Sequence, residues 1–185
     1  QALNKGIRGL ETGKSSTAVA MEPRLIAQKL ITPNPDRLSY VRFAFEQGFS
    51  VEDVFEMTKI DPWFLRQIRD GIAHEQELSG KAFEDVTAVE MRRAKRDGLS
   101  DVRLGRMWKT DALTVRAKRK EMGVVAVFNR VDTCAAEFES FTPYLYSSYE
   151  SECEAAPTDR KKVMILGSGP NRIGQGIEFD YCCCH

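Results

Sequence analysis

Apolar residues along this chain recur mostly at helical spacing, and polar capping residues and glycines punctuate them. "QALNKGIRGLETG" reads as a short helical tail that fades into the polar "KSSTA". Asn34 can cap a following helix with Pro35 at its first position; Leu38, Val41 and Phe45 line one face of it, and Gly48 ends it. Ser50 with Asp53 three residues on forms the pattern of a capping box and opens a short helix carrying Val54 and Phe55. Asp61-Pro62 starts another helix, whose Phe64, Leu65, Ile68 and Ile72 share a face as far as the Ser79-Gly80 break. Further helices are expected near 85–97, 101–108 and 111–121, separated by Gly98 and by Lys109-Thr110-Asp111.

The helical segment also repeats itself. "GFSVEDVFEMTKIDPWFLR" from residue 48 lies over "GLSDVRLGRMWKTDALTVR" from residue 98, with identities at Gly48/Gly98, Ser50/Ser100, Met57/Met107, Lys59/Lys109, Asp61/Asp111 and Arg66/Arg116. These matches fall on the glycine that ends a helix and on the Ser and Asp that cap the next ones. Two copies of a short-helix, turn, helix unit packed around one core are therefore expected.

After Gly123 the pattern changes. "VVAVFNRVD" is an extended apolar run, and "TCAAEFESFTPYLYSSYES" is rich in the Thr, Tyr and Phe that strands and loops favour. "EAAPTDRK" reads as a linker. Val163-Met164-Ile165-Leu166 has no polar alternation, the mark of a strand covered on both faces. A parallel sheet needs several such strands, so this last unit is expected to belong to a larger polypeptide.

Composition adds limits rather than a function. The 185 residues carry 27 Lys+Arg and 27 Asp+Glu, so formal charge is zero and overall charge favours neither nucleic acid nor membrane. From Met91 to Glu121, however, eleven bases stand against four acids. Two helix-turn-helix-like units, one of them basic, make a DNA-binding module the alternative reading. The bases surround the helices instead of forming a stripe, and no series of aromatic residues interleaves with them for single-strand stacking. The longest early apolar run, Ala18 to Met21, is too short for a signal peptide or a membrane span, and the first residue is Gln1, as in a processed or partial chain. The odd count of five cysteines suits a reducing compartment better than a disulfide framework.

The chemistry sits near the end of the chain, in "GSGPNRIGQG". Gly167, Gly169, Gly174 and Gly176 permit tight turns and close backbone approach, and a helix start offers N–H groups to an anion or a polar substrate. Asn171 and Arg172 are the polar candidates there. A dinucleotide fingerprint would need glycine where Arg172 stands, and a Walker loop would need GK[ST]; neither matches. A plain tight strand-to-helix turn explains the glycines equally well. Glu178 and Asp180 fall in the helix's first turns, where carboxylates suit the dipole without any catalytic role. Cys182, Cys183, Cys184 and His185 cannot converge on one ion from adjacent positions, so helix packing is their expected role and no metal site is assigned. Cys134 is expected in the core, and His74 on a charged helix surface.

"GSGPNRIGQGIEFDYCC", together with "RVDTCAAEF", "YLYSSYE.ECEA.P", "GLETG" and "TKIDPWFLRQI", resembles the middle of the large chain of carbamoyl-phosphate synthase, over nearly the whole sequence. That resemblance implies a mainly α fold: an all-helical oligomerisation-type domain followed by the truncated first βα unit of an α/β, pre-ATP-grasp domain. It implies the tail of a first synthetic unit at 1–21, a helical oligomerisation domain at 22–157 with an irregular connector from about 124, and the start of a second synthetic domain at 158–185. It further implies an ATP-dependent ligase as the parent, with ATP and Mg²⁺ or Mn²⁺ held outside this chain. A small glutaminase subunit would be a partner of that parent, which would sit in the cytoplasm or plastid stroma. No catalytic residue, cofactor, nucleic acid or membrane is implied for the chain itself. Self-association would fall to apolar residues on the helical block, with Phe43, Trp63 and Trp108 as candidates. The glycine loop would shape the substrate side of the parent's site and not hold ATP.

Overall fold

A computed structural model describes residues 1–9, 23–141 and 144–164. Eight helices run in order through the described residues: α1 Ala2–Gly9, α2 Pro23–Ile31, α3 Arg37–Glu46, α4 Val51–Thr58, α5 Pro62–Ser79, α6 Ala88–Arg96, α7 Asp101–Met107 and α8 Ala112–Glu121. A 3₁₀ turn, Phe83–Asp85, precedes α6, and β1 (Val127–Arg130) pairs with β2 (Leu145–Ser148) in a two-stranded sheet. The chain divides into two compact units, Gln1–Val127 with Ser147–Ser151, and Phe128–Tyr146 with Glu152–His185.

Within the first unit the internal repeat is structural, and it is longer than the sequence match. α3-α4-α5 and α6-α7-α8 follow the same course fifty residues apart. Gly48 and Gly98 end the first helix of each copy at φ 86° and 89°, a left-handed turn that glycine adopts without steric cost. Just beyond each, Phe49 N–H donates to Ala44 O at 3.1 Å and Leu99 N–H to Ala94 O at 3.0 Å. The Ser50 hydroxyl accepts from Asp53 N–H and Ser100 from Arg103 N–H; the Asp61 carboxylate accepts from Trp63 N–H and Asp111 from Leu113 and Thr114 N–H. Each such cap contributes about 1 kcal/mol by satisfying a donor that the helix start leaves open.

The two copies do not share one core. Ile26, Leu30, Val41, Phe43, Ala44, Phe45, Val51, Val54, Leu65 and Ile72 form one buried cluster. Leu78, Val86, Met91, Ala94, Leu99, Leu104, Val115 and Val124 form another. The expectation of a single core is corrected because α5, at 18 residues, is long enough to serve both: its Leu65 and Ile72 belong to the first cluster and its Leu78 to the second. At fifty-residue spacing the C-terminal part of α5 stands to the second copy as α2 stands to the first. Burying each large side chain in these clusters contributes roughly 1.5–3 kcal/mol.

Several local expectations are also corrected. Asn34 does not open α3, which begins at Arg37. Its side-chain amide instead donates to the carbonyls of Lys29 and Thr32 at 2.9 and 2.8 Å, closing the C-terminal end of α2, a helix that the periodicity did not single out. Helix α6 starts at Ala88 rather than near 85, because Thr87 and Glu90 form a capping box. His74 is buried (4% exposed), with Nδ1 at 2.5 Å from Asp97 Oδ2, so it does not lie on the surface. Leu38 and Phe64, expected on inward faces, are exposed.

In the second unit Val131 N–H donates to Tyr144 O and Glu154 N–H to Phe128 O. The Asp132 carboxylate accepts from the N–H groups of Cys134 and Ala136, folding "DTCAA" into a tight turn in which Ala135 and Ala136 have φ 51° and 60°. Cys134 is half-buried in that turn, not in a core. Lys161 to Met164 form no strand, and Val163 and Met164 are exposed; Ile165 and Leu166 lie outside the described residues.

Candidate functional site

The residues singled out for chemistry, Gly167, Gly169, Asn171, Arg172, Gly174 and Gly176, lie outside the described residues, as do Glu178, Asp180, Cys182, Cys183, Cys184 and His185. Among the described residues no group of three or more His, Cys, Asp or Glu is placed to hold a metal ion. No described helix is long and apolar enough to cross a membrane. The described features with functional shape all belong to the helical unit.

The first feature is the end of the first copy where α2 and α4 finish and α3 and α5 begin. Arg37 ties it together: Nε donates to Leu30 O and Nη2 to Thr58 O, both at 2.9 Å. The guanidinium thereby takes up last-turn carbonyls of two helices, groups that the helices cannot satisfy themselves. Near this tie in sequence, Ile31 (60% exposed), Leu38 (42%), Trp63 (57%) and Phe64 (57%) face outward. Trp63 and Phe64 meet edge to face with ring centroids 4.9 Å apart, so they are set relative to one another.

The second feature is the matching end of the second copy, an open hollow of about 520 Å³. Phe83, Met107 and Trp108 line it, and Lys81, Lys109 and Thr114 are at its margin. Phe83 and Trp108 lie 5.3 Å apart, and Lys118 Nζ sits 4.5 Å above the Phe83 ring while donating to its carbonyl. Trp108 packs against the second cluster, and Phe43 is 8% exposed inside the first. Of the three residues expected to be available for association, only Trp63 is exposed.

Charge is mostly consumed internally. Glu75 on α5 accepts from Arg42 of α3 (Nη2 to Oε2, 2.7 Å) and from Arg103 of α7 (Nη2 to Oε2, 2.9 Å, and Nε to Oε1). Burial pushes the Glu75 carboxyl up, but the Arg103 hydrogen bond and the two guanidinium charges outweigh it and hold the group below its ordinary value. Asp101 is similarly held down, its burial outweighed by Lys95 and Arg119. Lys95 Nζ lies 2.7 Å from Asp101 Oδ1, and Arg119 Nε lies 3.1 and 3.0 Å from the two Asp101 oxygens. Burial lowers Lys95 by more than Asp101 restores. Tyr149 covers the pair, with Lys95 Nζ 5.3 Å and Arg119 Cζ 5.7 Å from its ring; burial raises its phenol.

Six of the eleven bases in the basic stretch are taken up inside the fold: Lys95, Arg103 and Arg119 are engaged as above, Arg92 donates to Gly123 O, Arg96 pairs with Glu150, and Lys118 is folded over Phe83. Arg93, Lys109, Arg116 and Lys120 are exposed. Nothing in the described structure favours the DNA-binding reading, which needs cations aligned along a backbone.

The described residues thus form a mainly helical unit built from a capped repeat, followed by a short two-stranded sheet. Residues 1–123 match the family described as carbamoyl-phosphate synthetase large chain, oligomerisation domain, and residues 159–185 match the carbamoyl phosphate synthase preATP-grasp domain. The chain belongs to the carbamoyl-phosphate synthetase large-chain family, through its oligomerisation domain. It is 53% identical over 189 residues to the carbamoyl phosphate synthase large chain of Acidobacterium capsulatum, and 52% identical over 186 residues to that of Haemophilus ducreyi. To the Nostoc large chain it is 49% identical over 190 residues. Each alignment takes in 100% of this chain and 17% of the relative, so the chain spans about a sixth of the length of the curated relatives it matches.

Proposed function

We propose that this chain is the central region of a carbamoyl phosphate synthase large chain. In that protein it would join two synthetic halves and promote self-association. The observation that carries this reading is the order of the two family matches: an oligomerisation domain and then a pre-ATP-grasp domain, along one chain whose relatives align with it over 100% of its length. Residues 1–21 are assigned to the tail of the first synthetic unit, 22–157 to the helical domain with its connector from about 124, and 158–185 to the start of the second unit.

The parent would be an ATP-dependent carbon–nitrogen ligase. It phosphorylates bicarbonate, lets ammonia form carbamate, and phosphorylates that in turn to carbamoyl phosphate for arginine and pyrimidine synthesis. ATP and Mg²⁺ or Mn²⁺ would be held by other parts of it, and a small glutaminase subunit would supply ammonia, in the cytoplasm or plastid stroma. Gly167, Gly169, Asn171, Arg172, Gly174 and Gly176 are assigned to the substrate side of the second synthetic site. Four glycines with one guanidinium and one amide offer backbone N–H groups and a charge to an anion, but no nucleophile.

The direct test is turnover. The full-length polypeptide should make carbamoyl phosphate from bicarbonate, ammonia and ATP, and this 185-residue chain should neither do so nor hydrolyse ATP. Steady ATP hydrolysis by the purified chain, abolished by Arg172→Ala, would overturn the assignment of catalysis to other parts of the parent.

A further inference from the structure

We infer that the cluster of cations around Tyr149, closed by Arg8 of α1 and Arg116 of α8, is a binding site for a phosphate-type dianion, either inorganic phosphate or the phosphate of a small monoester. All of its parts belong to the first compact unit, Tyr149 through the Ser147–Ser151 segment. The site goes beyond the function proposed above and does not depend on it.

Helix α1 is seated on the second copy by Asn4 and Lys5. Asn4 Nδ2 donates to Asp97 O at 2.7 Å, and Lys5 Nζ donates to Ser147 O and, at 3.2 Å, to Ser147 Oγ. Gly98 permits the approach, since a Cβ there would stand 2.8 Å from Asn4 Cβ. Arg8 lies one turn on from Asn4 and Lys5 and shares their face of the helix. Its charge acts on both Lys95 and Tyr149, and that of Arg116 acts on Tyr149. Against the face of the ring, Lys95 Nζ and Arg119 Cζ stand 5.3 and 5.7 Å from the centroid. Four cations thus gather around one phenol. The Asp101 carboxylate, which also reaches the phenol, is already taken up by Lys95 and Arg119, and Glu150 pairs with Arg96 at 3.0 Å. Arg8 and Arg116 are exposed, and among the described residues no ion pair or hydrogen bond engages either guanidinium or the Tyr149 hydroxyl.

The internal repeat shows that the fold does not require this charge. Fifty residues earlier, the first copy has Phe45 and Val51 at the places of Lys95 and Asp101, both buried in its apolar cluster. Arg69, the counterpart of Arg119, pairs with its neighbour Asp70 at 2.8 Å on the surface, whereas Arg119 has Lys120 beside it. A buried ion pair brings little stability over well-packed apolar residues. Stability therefore does not account for Lys95 and Arg119, 6% and 9% exposed, sharing one carboxylate. An incoming anion offsets the surplus: two guanidinium groups can fork onto its oxygens, the phenol can donate to it, and Lys95 and Arg119 add charge from behind. Four cations against one carboxylate suit a dianion better than a singly charged ligand.

The test follows binding of inorganic phosphate to the 185-residue chain by phosphorus nuclear magnetic resonance, with ionic strength held constant by chloride. Saturable binding is expected. Arg8→Gln and Arg116→Gln should each weaken it about tenfold, and Tyr149→Phe about threefold. Arg116→Lys, which keeps the charge but not the fork, should fall between Arg116→Gln and the unmodified chain. Arg66→Gln, at the exposed equivalent of Arg116 in the first copy, should leave binding unchanged. Circular dichroism checks that each variant keeps its helices. Glycerol phosphate distinguishes the sources: binding at least as tight as that of phosphate assigns the site to a monoester, and weaker binding assigns it to free phosphate. Binding that never saturates, that survives both Arg8→Gln and Arg116→Gln, or that falls equally in Arg66→Gln would overturn the site. In the full-length polypeptide Arg116→Gln should likewise remove phosphate binding. If that dependence on Arg116 is absent at full length, an acidic side chain of the parent fills the place and the assignment to a free ligand fails.

Discussion

Lys59 and Lys109, fifty residues apart, hold the same left-handed backbone conformation, each with φ 55°. Lys59 follows α4, where its N–H donates to Phe55 O at 2.7 Å, and Lys109 follows α7 in the same place of the second copy. A side chain in this region costs roughly 1–2 kcal/mol, which glycine avoids at the expense of about 0.5–1 kcal/mol of unfolded-state entropy. Lys59→Gly and Lys109→Gly should each raise stability, by on the order of 0.5–1 kcal/mol, read from the urea midpoint at unchanged slope. A lowered midpoint in both would mean that the lysine side chains stabilise these turns in some other way.

Glu75 joins the copies, because its two arginine partners lie on α3 of one and α7 of the other. Glu75→Gln keeps the shape but leaves two guanidinium groups facing each other without their anion. The expected loss is about 1–3 kcal/mol, the range for a hydrogen bond to a charged group that is largely withdrawn from water. A double-mutant cycle with Arg42→Met and Arg103→Met separates the two halves of the bridge. Loss below about 0.3 kcal/mol would place it with surface ion pairs of no consequence.

Gly105 and Gly71 are both helical glycines, yet opposite outcomes are expected of them. A Cβ on Gly105 would stand 2.8 Å from Thr110 O and 3.1 Å from Asp111 C, which are backbone atoms that cannot swing aside. At Gly71 it would meet nothing within 4 Å. Gly105→Ala should therefore destabilise by about 1–3 kcal/mol, whereas Gly71→Ala should stabilise by roughly 0.5–1 kcal/mol. Thermal melts of the two variants side by side would show whether the α7–α8 turn is packed this closely.

What the sequence made legible was its punctuation. Ser50, Asp53, Asp61, Ser100 and Asp111 act as caps where their types and spacing said they would, since capping depends on a few neighbouring atoms only. Inside and outside were harder to read on α3. Val41, Phe43, Ala44 and Phe45 are all buried, because α2, α4 and α5 pack against it from several sides and no single stripe survives. Phe43 was for that reason misplaced on the surface, and Trp108 likewise, since its partner Phe83 lies in a turn that periodicity does not reveal. Arg37 left no local signal either: the carbonyls it takes up belong to Leu30 and to Thr58, and the latter is 21 residues away. The exposed rings could have been found by comparing the repeats position by position, as Trp63 and Phe64 differ from Leu113 and Thr114 while the caps beside them agree.

Acid should loosen the helical unit through its capping carboxylates. Glu90 accepts from Thr87 N–H at 3.0 Å and from the Thr87 hydroxyl at 2.9 Å, and Lys81 donates to its other oxygen. The Lys81 hydrogen bond, then those of Thr87, lower its carboxyl from 4.5 to about 2. Because the folded value lies below the unfolded one, the unfolded chain binds more protons between them, and stability rises with pH across that interval. The contribution is complete above the unfolded value and disappears as pH falls toward the folded one. Glu75 and Asp101, also held low, add to the loss in the same direction. Urea unfolding followed from about pH 6 to about pH 2 should show a falling midpoint, less steep in Glu90→Gln, which has no proton to gain. Identical slopes in the two proteins would show that the charge of Glu90, as distinct from its hydrogen bonds, contributes nothing to closing the start of α6.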